Sequence, residues 1–216
     1  MAVAYAVGRA LFRKVVWVNL HPHPYPARQA RTRPLMSVLP QILKTTLVAR
    51  SRLFNIESVD LRFANGNEAS FERLVGQGAA AVLVVPLPAA DQLLLVREYA
   101  VGLQRYEFGF VKGRIDVGET PDQAAHRELR EETGFDAGVI ERLATVALTP
   151  AYSDYQTHVF VARDLFESPL DGDEPETLET TQWPLADLCG LRAREDFSDA
   201  RSLLATYLVA EKLGQK

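Results

Sequence analysis

An α/β fold is what this sequence predicts: a mixed sheet lying between helices, preceded by a small N-terminal β-hairpin subdomain. Three observations carry that expectation. Residues 79–87 form a continuous apolar run, which suits a strand buried on both faces. Further short segments rich in β-formers, punctuated by turn residues, supply strands on either side of it. Two helical stretches, one opening at Pro121 and one near Ser198, supply covering layers. The chain has 216 residues, 47% of them hydrophobic and 24% charged, enough to bury a core in one main domain. The expected division is a leader at 1–38, the hairpin subdomain at 39–75, which would serve dimerisation, and the main domain at 76–216.

No acidic residue precedes Glu57, while Arg9, Arg13, Lys14, Arg28, Arg31 and Arg33 are scattered among apolar residues and a proline-rich run at 21–26. Ordered structure is expected to begin only after this leader. Arg9, Arg13 and Lys14 interrupt the apolar stretch that a signal peptide would need, and no uncharged span of about 18 residues is present to cross a membrane. A basic, acid-free leader fits an organelle transit peptide. It also fits an over-extended start with Met36 as the true beginning, and this reading is favoured because folding signals begin only after that residue.

From residue 46 the pattern turns to strands. Residues 46–50 form the first, and 56–63 and 68–74 flank Asn65-Gly66 as a hairpin with a tight turn. Such a hairpin is too small to stand alone and must pack on the main domain or on a second copy. The buried run at 79–87 is followed by a turn at Ala90-Asp91 and a strand at 93–99; later strands are expected at 143–148, 157–162 and 181–183. The last helix, capped by Ser198, would pack Leu203, Leu204, Tyr207, Leu208 and Leu213 inward. Cys189 cannot form an internal disulfide and reads as a small core residue, consistent with a reducing cytoplasm. Net charge is −4, with no broad basic face after residue 56, which argues against a nucleic-acid partner and for a nucleotide-sized one.

The segment 113–135 carries the chemistry. Thr120 can cap a first turn, Pro121 suits the first helical position and Gln123 can reach back to complete a capping box; Gly134 closes the helix in the left-handed conformation. Between these ends Glu128, Glu131 and Glu132 stand at i, i+3 and i+4, so three carboxylates are expected on one face. Such a patch is costly unless a cation sits in it, and hard oxygen donors favour Mg²⁺ or Mn²⁺. Arg127, four residues before Glu131, can hold one of them, while Ala125 and Leu129 anchor the opposite side.

Gly113, Glu119, Arg127-Glu128-Leu129, Glu131-Glu132 and Gly134-Phe135 fall in the order and spacing of the signature of the Nudix hydrolases, which this segment resembles position by position. The resemblance implies an α/β/α sandwich and a divalent-metal pyrophosphatase that cuts a nucleoside diphosphate linked to a further group. It implies metal ligation by Glu128 and Glu132, metal binding or water orientation by Glu131, and a ligating carbonyl from Lys112. Glu119 and Arg127 would order the loop and helix around the ligands.

The stretch from about residue 45 to the C-terminus, including 48–54, 57–61, 97–102, 172–176 and 183–185, is similar to the type acting on ADP compounds within the ADP-ribose pyrophosphatase branch. That similarity implies an ADP-containing small-molecule substrate such as ADP-ribose, diadenosine triphosphate or NADH, release of AMP, and a homodimer in which the N-terminal strands embrace the partner. Pro150 lies sixteen residues past Gly134, where ADP-ribose pyrophosphatases carry proline. Tyr152 lies eighteen past it, where diadenosine polyphosphate hydrolases carry tyrosine.

Binding an ADP half needs flat apolar surface and cations. Tyr99, Tyr106, Phe108, Phe110 and Tyr152 are stacking candidates, each also readable as core packing. Arg97 and Arg105 are phosphate-clamp candidates or surface ion pairs. Glu107 would add to metal binding, hold the loop, or be an exposed strand residue. The acidic run 171–176, punctuated by Gly172 and Pro175, reads as a mobile loop, and by resemblance Glu174 or Glu176 is the catalytic base, with Glu131 competing. His126 reads as a surface residue and His158 as structural. The rival readings are a Nudix pyrophosphatase for coenzyme A, a nucleotide sugar or a nucleoside triphosphate, and a non-catalytic Nudix ligand sensor, which the intact signature argues against.

Overall fold

β4 (Ala81–Pro86) is buried at every residue, because six consecutive apolar side chains leave neither face fit for water. It belongs to a computed structural model that describes residues 38–76, 80–172 and 174–214. The chain divides into two units, Met1–Val38 and Leu39–Lys216; the expectations for the leader at 1–37 lie outside the described residues, and the architecture below is that of the second unit.

β4 runs parallel to β9 (Gln156–Glu167) and antiparallel to β7 (Val111–Arg114), while β8 (Phe135–Ala147) pairs antiparallel with β9. The result is a mixed four-stranded sheet in the order β7-β4-β9-β8. Alternation along β4 and β9 divides the core. Val82, Val84, Phe160 and Ala162 face α1 (Pro121–Thr133), against Ala124, Ala125 and Leu129. Leu83, Val85, Val159 and Val161 face the other way, onto Leu188 and Leu191 of α2 (Leu188–Arg192), Phe197, and Ala205 and Val209 of α3 (Ala200–Lys212). Each large side chain fully buried this way contributes roughly 1.5–3 kcal/mol. The expected sheet between helices is therefore present as an α/β/α sandwich.

A second, antiparallel sheet holds β10 (Glu179–Pro184), β5 (Gln92–Ala100) and β6 (Arg105–Gly109) in that order. β7 was not expected as a strand, and β6 only through one reading of Glu107; they are short and separated only by Phe110, whose buried ring ties the two sheets together. β1 (Gln41–Arg50), β2 (Asn55–Arg62) and β3 (Glu68–Val75) form a third sheet, tethered to the main domain where Leu74 N–H donates to the Tyr152 carbonyl at 2.7 Å.

Several local expectations need correction. The Asn65-Gly66 turn is not a two-residue one: Gly66 N–H donates to the Phe63 carbonyl and Phe63 N–H to that of Asn67, which makes a three-residue loop with Gly66 as the left-handed member. β8 and β9 run well beyond 143–148 and 157–162, because a long antiparallel ladder pairs polar residues that local composition does not mark as strand. Asp199, not Ser198, caps α3, accepting from Ser202 N–H at 3.0 Å. Ser202, Ala205, Thr206 and Val209 are the buried residues of α3, with Leu203, Leu208 and Leu213 packed against the core beside them as expected; Leu204 and Tyr207 are exposed. Cys189 is exposed rather than a core residue. Among the described residues no helix is long and apolar enough to cross a membrane.

Candidate active site

α1 begins and ends as its sequence dictates. Thr120 Oγ1 accepts from Gln123 N–H at 3.2 Å while Gln123 Oε1 accepts from Thr120 N–H at 2.9 Å, and Gly134 closes the helix at φ 76°. The buried flank of α1 places Glu132 in line with Ala125 and Leu129. Its carboxylate is thus driven inward instead of sharing an open patch with Glu128 and Glu131.

Arg127 organises what surrounds it. Its guanidinium donates to both carboxylate oxygens of Glu119, at 2.8 and 2.9 Å, to Glu128 Oε1 at 2.7 Å, to Glu131 Oε2 at 2.9 Å and to the Arg114 carbonyl at 2.8 Å. Glu119 in turn accepts from Asp116 N–H at 3.0 Å, and Arg127 holds its carboxyl below the usual range. The loop 114–119 is therefore pinned to the helix through one side chain. The guanidinium also separates Glu128 from Glu131, so among the described residues no three His, Cys, Asp or Glu side chains converge as a ready-made cage.

The opposite wall is β7. Lys112 N–H donates to Glu132 Oε1 at 3.2 Å, and the Glu128 carboxylate lies over Gly113, where an added Cβ would come within 1.9 Å of it. Any larger residue at 113 would displace that carboxylate, which is a physical reason for glycine there. Glu132 is 9% exposed and its Oε2 has no hydrogen-bond partner. Burial pushes its carboxyl up to about 8, with Glu128 and Glu98 adding to the rise and Lys112 opposing it. An orphaned, buried carboxylate oxygen beside a second carboxylate seated on bare backbone is a donor set with the chemistry of a cation site. Glu128, Glu132 and the Lys112 backbone fit a hard divalent ion.

Lys112, Gly113, Arg127, Glu128, Glu131 and Glu174 line one cleft of about 510 Å³, which Arg114 and Asp116 also enter. An adjoining cleft of about 580 Å³ shares Glu131 and Glu174 and adds Glu132 and Glu176. The acidic loop reaches this place because Gly172 packs against Glu131, and because Arg130 Nε donates to the Ser168 carbonyl at 2.9 Å. An apolar pocket of about 350 Å³, walled by Phe54, Leu74, Leu148 and Tyr155, adjoins the first cleft through Arg114, which lines both.

The remaining expected site residues stand elsewhere. Arg97 pairs with Glu179 at 3.1 Å and stacks over the Tyr106 ring at 4.4 Å, and Tyr99 meets Tyr106 edge-on. Arg105 donates to Glu107 at 2.5 Å and to the Glu195 carbonyl at 2.7 Å. Glu107 is buried rather than exposed and accepts from Ser198 N–H and Oγ; against the cost of burial, those bonds and Arg105 hold it ionised below its ordinary range. Its carboxylate is thus engaged by Arg105 and by the loop before α3. Tyr152 lies exposed against Ile56, Arg73 and Leu74 of the N-terminal sheet and lines neither of the two carboxylate clefts. Phe110 is wholly core, and Phe108 packs beside Arg194. His126 contacts Asp136, and His158 contacts Thr145.

Sequence reasoning missed Glu98, which pairs with Lys112 and bears on Glu132, and Arg114, which bridges the clefts. Both reach the site through strand pairing that no local spacing announces; only the alternation of Glu98 with buried Val96 offered a hint.

Two family models match the chain: the NUDIX domain over residues 78–206 and the NudE-type Nudix hydrolase N-terminal domain over 40–73. The protein belongs to the Nudix hydrolases. It is 47% identical to the ADP compounds hydrolase NudE of Escherichia coli (strain K12) over 174 residues, covering 81% of this chain and 93% of that one. It is 28% identical to the ADP-ribose pyrophosphatase of Bacillus subtilis (strain 168), covering 76% and 91%. A crystal structure of ADP compounds hydrolase matches with TM-score 0.77 and 46% identity, over 81% of this chain and 94% of that one.

Proposed function

We propose that the protein hydrolyses the pyrophosphate bond of ADP-linked small molecules, ADP-ribose, diadenosine triphosphate and NADH among them, releasing AMP. The observation that carries this reading is the pair of α1 carboxylates that face β7: Glu132 buried with an orphaned oxygen, Glu128 lying over Gly113. The similarity to enzymes named for ADP compounds and ADP-ribose supports the choice of substrate. The apolar pocket joined to the cleft by Arg114 gives a base and a diphosphate adjacent homes of suitable chemistry.

Glu128 and Glu132, with the Lys112 carbonyl, would hold Mg²⁺, with Mn²⁺ an acceptable substitute. When bound, the divalent cation supplies charge against the diphosphate oxygens and makes the attacking water more acidic. Glu174 faces the same cleft and takes the proton from that water as it attacks phosphorus in line, AMP departing as the other fragment retains its phosphate. Glu131, ion-paired to Arg127, is the weaker base. The exposed apolar residues of β1 to β3 fit a homodimer formed through the N-terminal sheets, and the lone cysteine fits a cytoplasmic enzyme.

A substrate panel tests the reading. AMP release from ADP-ribose, NADH and diadenosine triphosphate with Mg²⁺ is expected to exceed turnover of coenzyme A, a nucleotide sugar and nucleoside triphosphates. No AMP from any of the three would end it.

A further inference from the structure

The acidic loop between β9 and β10 carries two carboxylates that sequence alone cannot tell apart as bases, and their surroundings differ. Glu174 lines the cleft that contains Glu128, Glu131 and Arg127. Glu176 does not enter that cleft: its Oε1 accepts a hydrogen bond from the Tyr106 hydroxyl at 2.8 Å. Tyr106 is itself held on two sides. Arg97 lies over its ring at 4.4 Å, and the Tyr99 ring meets it edge-on at a centroid distance of 5.4 Å. Arg97 is fixed in turn by Glu179, the first residue of β10, at 3.1 Å.

The loop is thus anchored at both ends. At its start Arg130 donates to the Ser168 carbonyl, and Leu170 N–H donates to the Arg130 carbonyl at 3.4 Å. At its end stand the Tyr106–Glu176 hydrogen bond and the Arg97–Glu179 pair. Between these anchors Glu174 is presented to the carboxylate cleft. The β5–β6 hairpin, through aromatic residues that otherwise look like a stacking surface, is therefore mechanically part of the site.

We propose that Tyr106 is a positioning residue whose hydroxyl latches the loop through Glu176, so that Glu174 rather than Glu176 stands over the reacting phosphorus. This inference rests on the pyrophosphatase reading above. A hydroxyl–carboxylate hydrogen bond to an ionised acceptor is among the stronger kinds, and the proton stays on Tyr106, whose ionisation the Glu176 hydrogen bond disfavours. Misplacement of a catalytic group by about 1 Å can cost on the order of 10²-fold, so release of one anchor matters even though Tyr106 contacts no substrate. Arg97, engaged with both Tyr106 and Glu179, belongs to this latch and not to a phosphate clamp.

The test uses the full chain with Tyr106→Phe, Glu176→Ala, Glu176→Gln and Glu174→Gln, read by steady-state kinetics on ADP-ribose and by hydrogen exchange of the backbone at 168–178 without substrate. Tyr106→Phe removes one partly exposed hydroxyl and leaves the ring packing, so folding is not at stake. Expected are a fall in kcat of about tenfold or more with KM changed far less, and faster exchange confined to 168–178. Glu176→Ala should match it, the double variant should be no worse than either single one, and Glu176→Gln, whose amide oxygen still accepts the bond, should recover most of the loss. Glu174→Gln should be the most impaired in kcat. The latch is overturned if Tyr106→Phe leaves loop exchange and kcat as in wild type, or if Glu176→Gln is as impaired as Glu174→Gln. Because loop exchange is read without turnover, a parent enzyme inactive on ADP-ribose would refute the functional reading while exchange still judged the latch.

Discussion

Glu132 is a residue whose burial opposes folding and whose proposed role is in the chemistry. In the unfolded chain its carboxyl titrates at roughly 4.3, and in the folded protein at about 8. Between those values the folded state keeps a proton that the unfolded chain has released. Stability of the metal-free protein therefore falls as pH rises through that window and levels off above it. A divalent cation displaces that proton and removes the penalty, so the gain in Tm on adding Mg²⁺ should be larger at pH 8.5 than at pH 6. In Glu132→Gln the pH slope should flatten and the Mg²⁺ effect should shrink. Thermal melts across pH with and without Mg²⁺ decide this, and an unchanged slope in the variant would show that Glu132 is not the buried acid described here. The place of this carboxylate on the helix was legible in the signature; its burial was not, because inward rotation depends on β7 lying beneath the helix.

At the scale of elements, the site is a helix with well-made ends. Thr120→Ala deletes the cap oxygen and should cost about 1 kcal/mol. Gly134→Ala places a Cβ at φ 76° and should cost on the order of 1–2 kcal/mol. Urea denaturation reads both, and Cm values equal to that of the parent would mean that the caps do not hold α1. Start, stop and capping box were all readable from residues 120–134, since each rests on contacts within a few positions. β6, β7 and the full lengths of β8 and β9 were not, because their partners lie far along the chain and their own composition is mixed. The same reason hid Glu98 and Arg114, and it left open the choices at Arg97, Arg105 and Glu107, where the structure shows the ion pairs and the loop contact that were among the expected alternatives.

Across the whole molecule, core and site are kept apart: both faces of the central sheet are packed, and the chemistry gathers at its β7 edge beneath α1. The N-terminal sheet contrasts with this, since every residue of β1 is exposed, as are Ile42, Leu47, Val48, Phe54 and Phe71. Such an exposed apolar surface is what the proposed second copy would cover. Sedimentation is expected to show two chains of 24.0 kDa associated, and Leu47→Glu combined with Val48→Glu to yield folded monomer; a monomeric parent at micromolar concentration would remove the second copy from the account. The central claim is more demanding, that carboxylates gathered between α1 and β7 cleave a pyrophosphate with the help of a divalent cation. It is tested most directly by AMP formation from ADP-ribose, followed in wild type and Glu132→Gln with Mg²⁺ and again with excess chelator. The account predicts AMP from wild type with Mg²⁺ alone and roughly 10²-fold less, or none, in the other three conditions. AMP formed at the same rate in the presence of chelator, or by the variant, would contradict it.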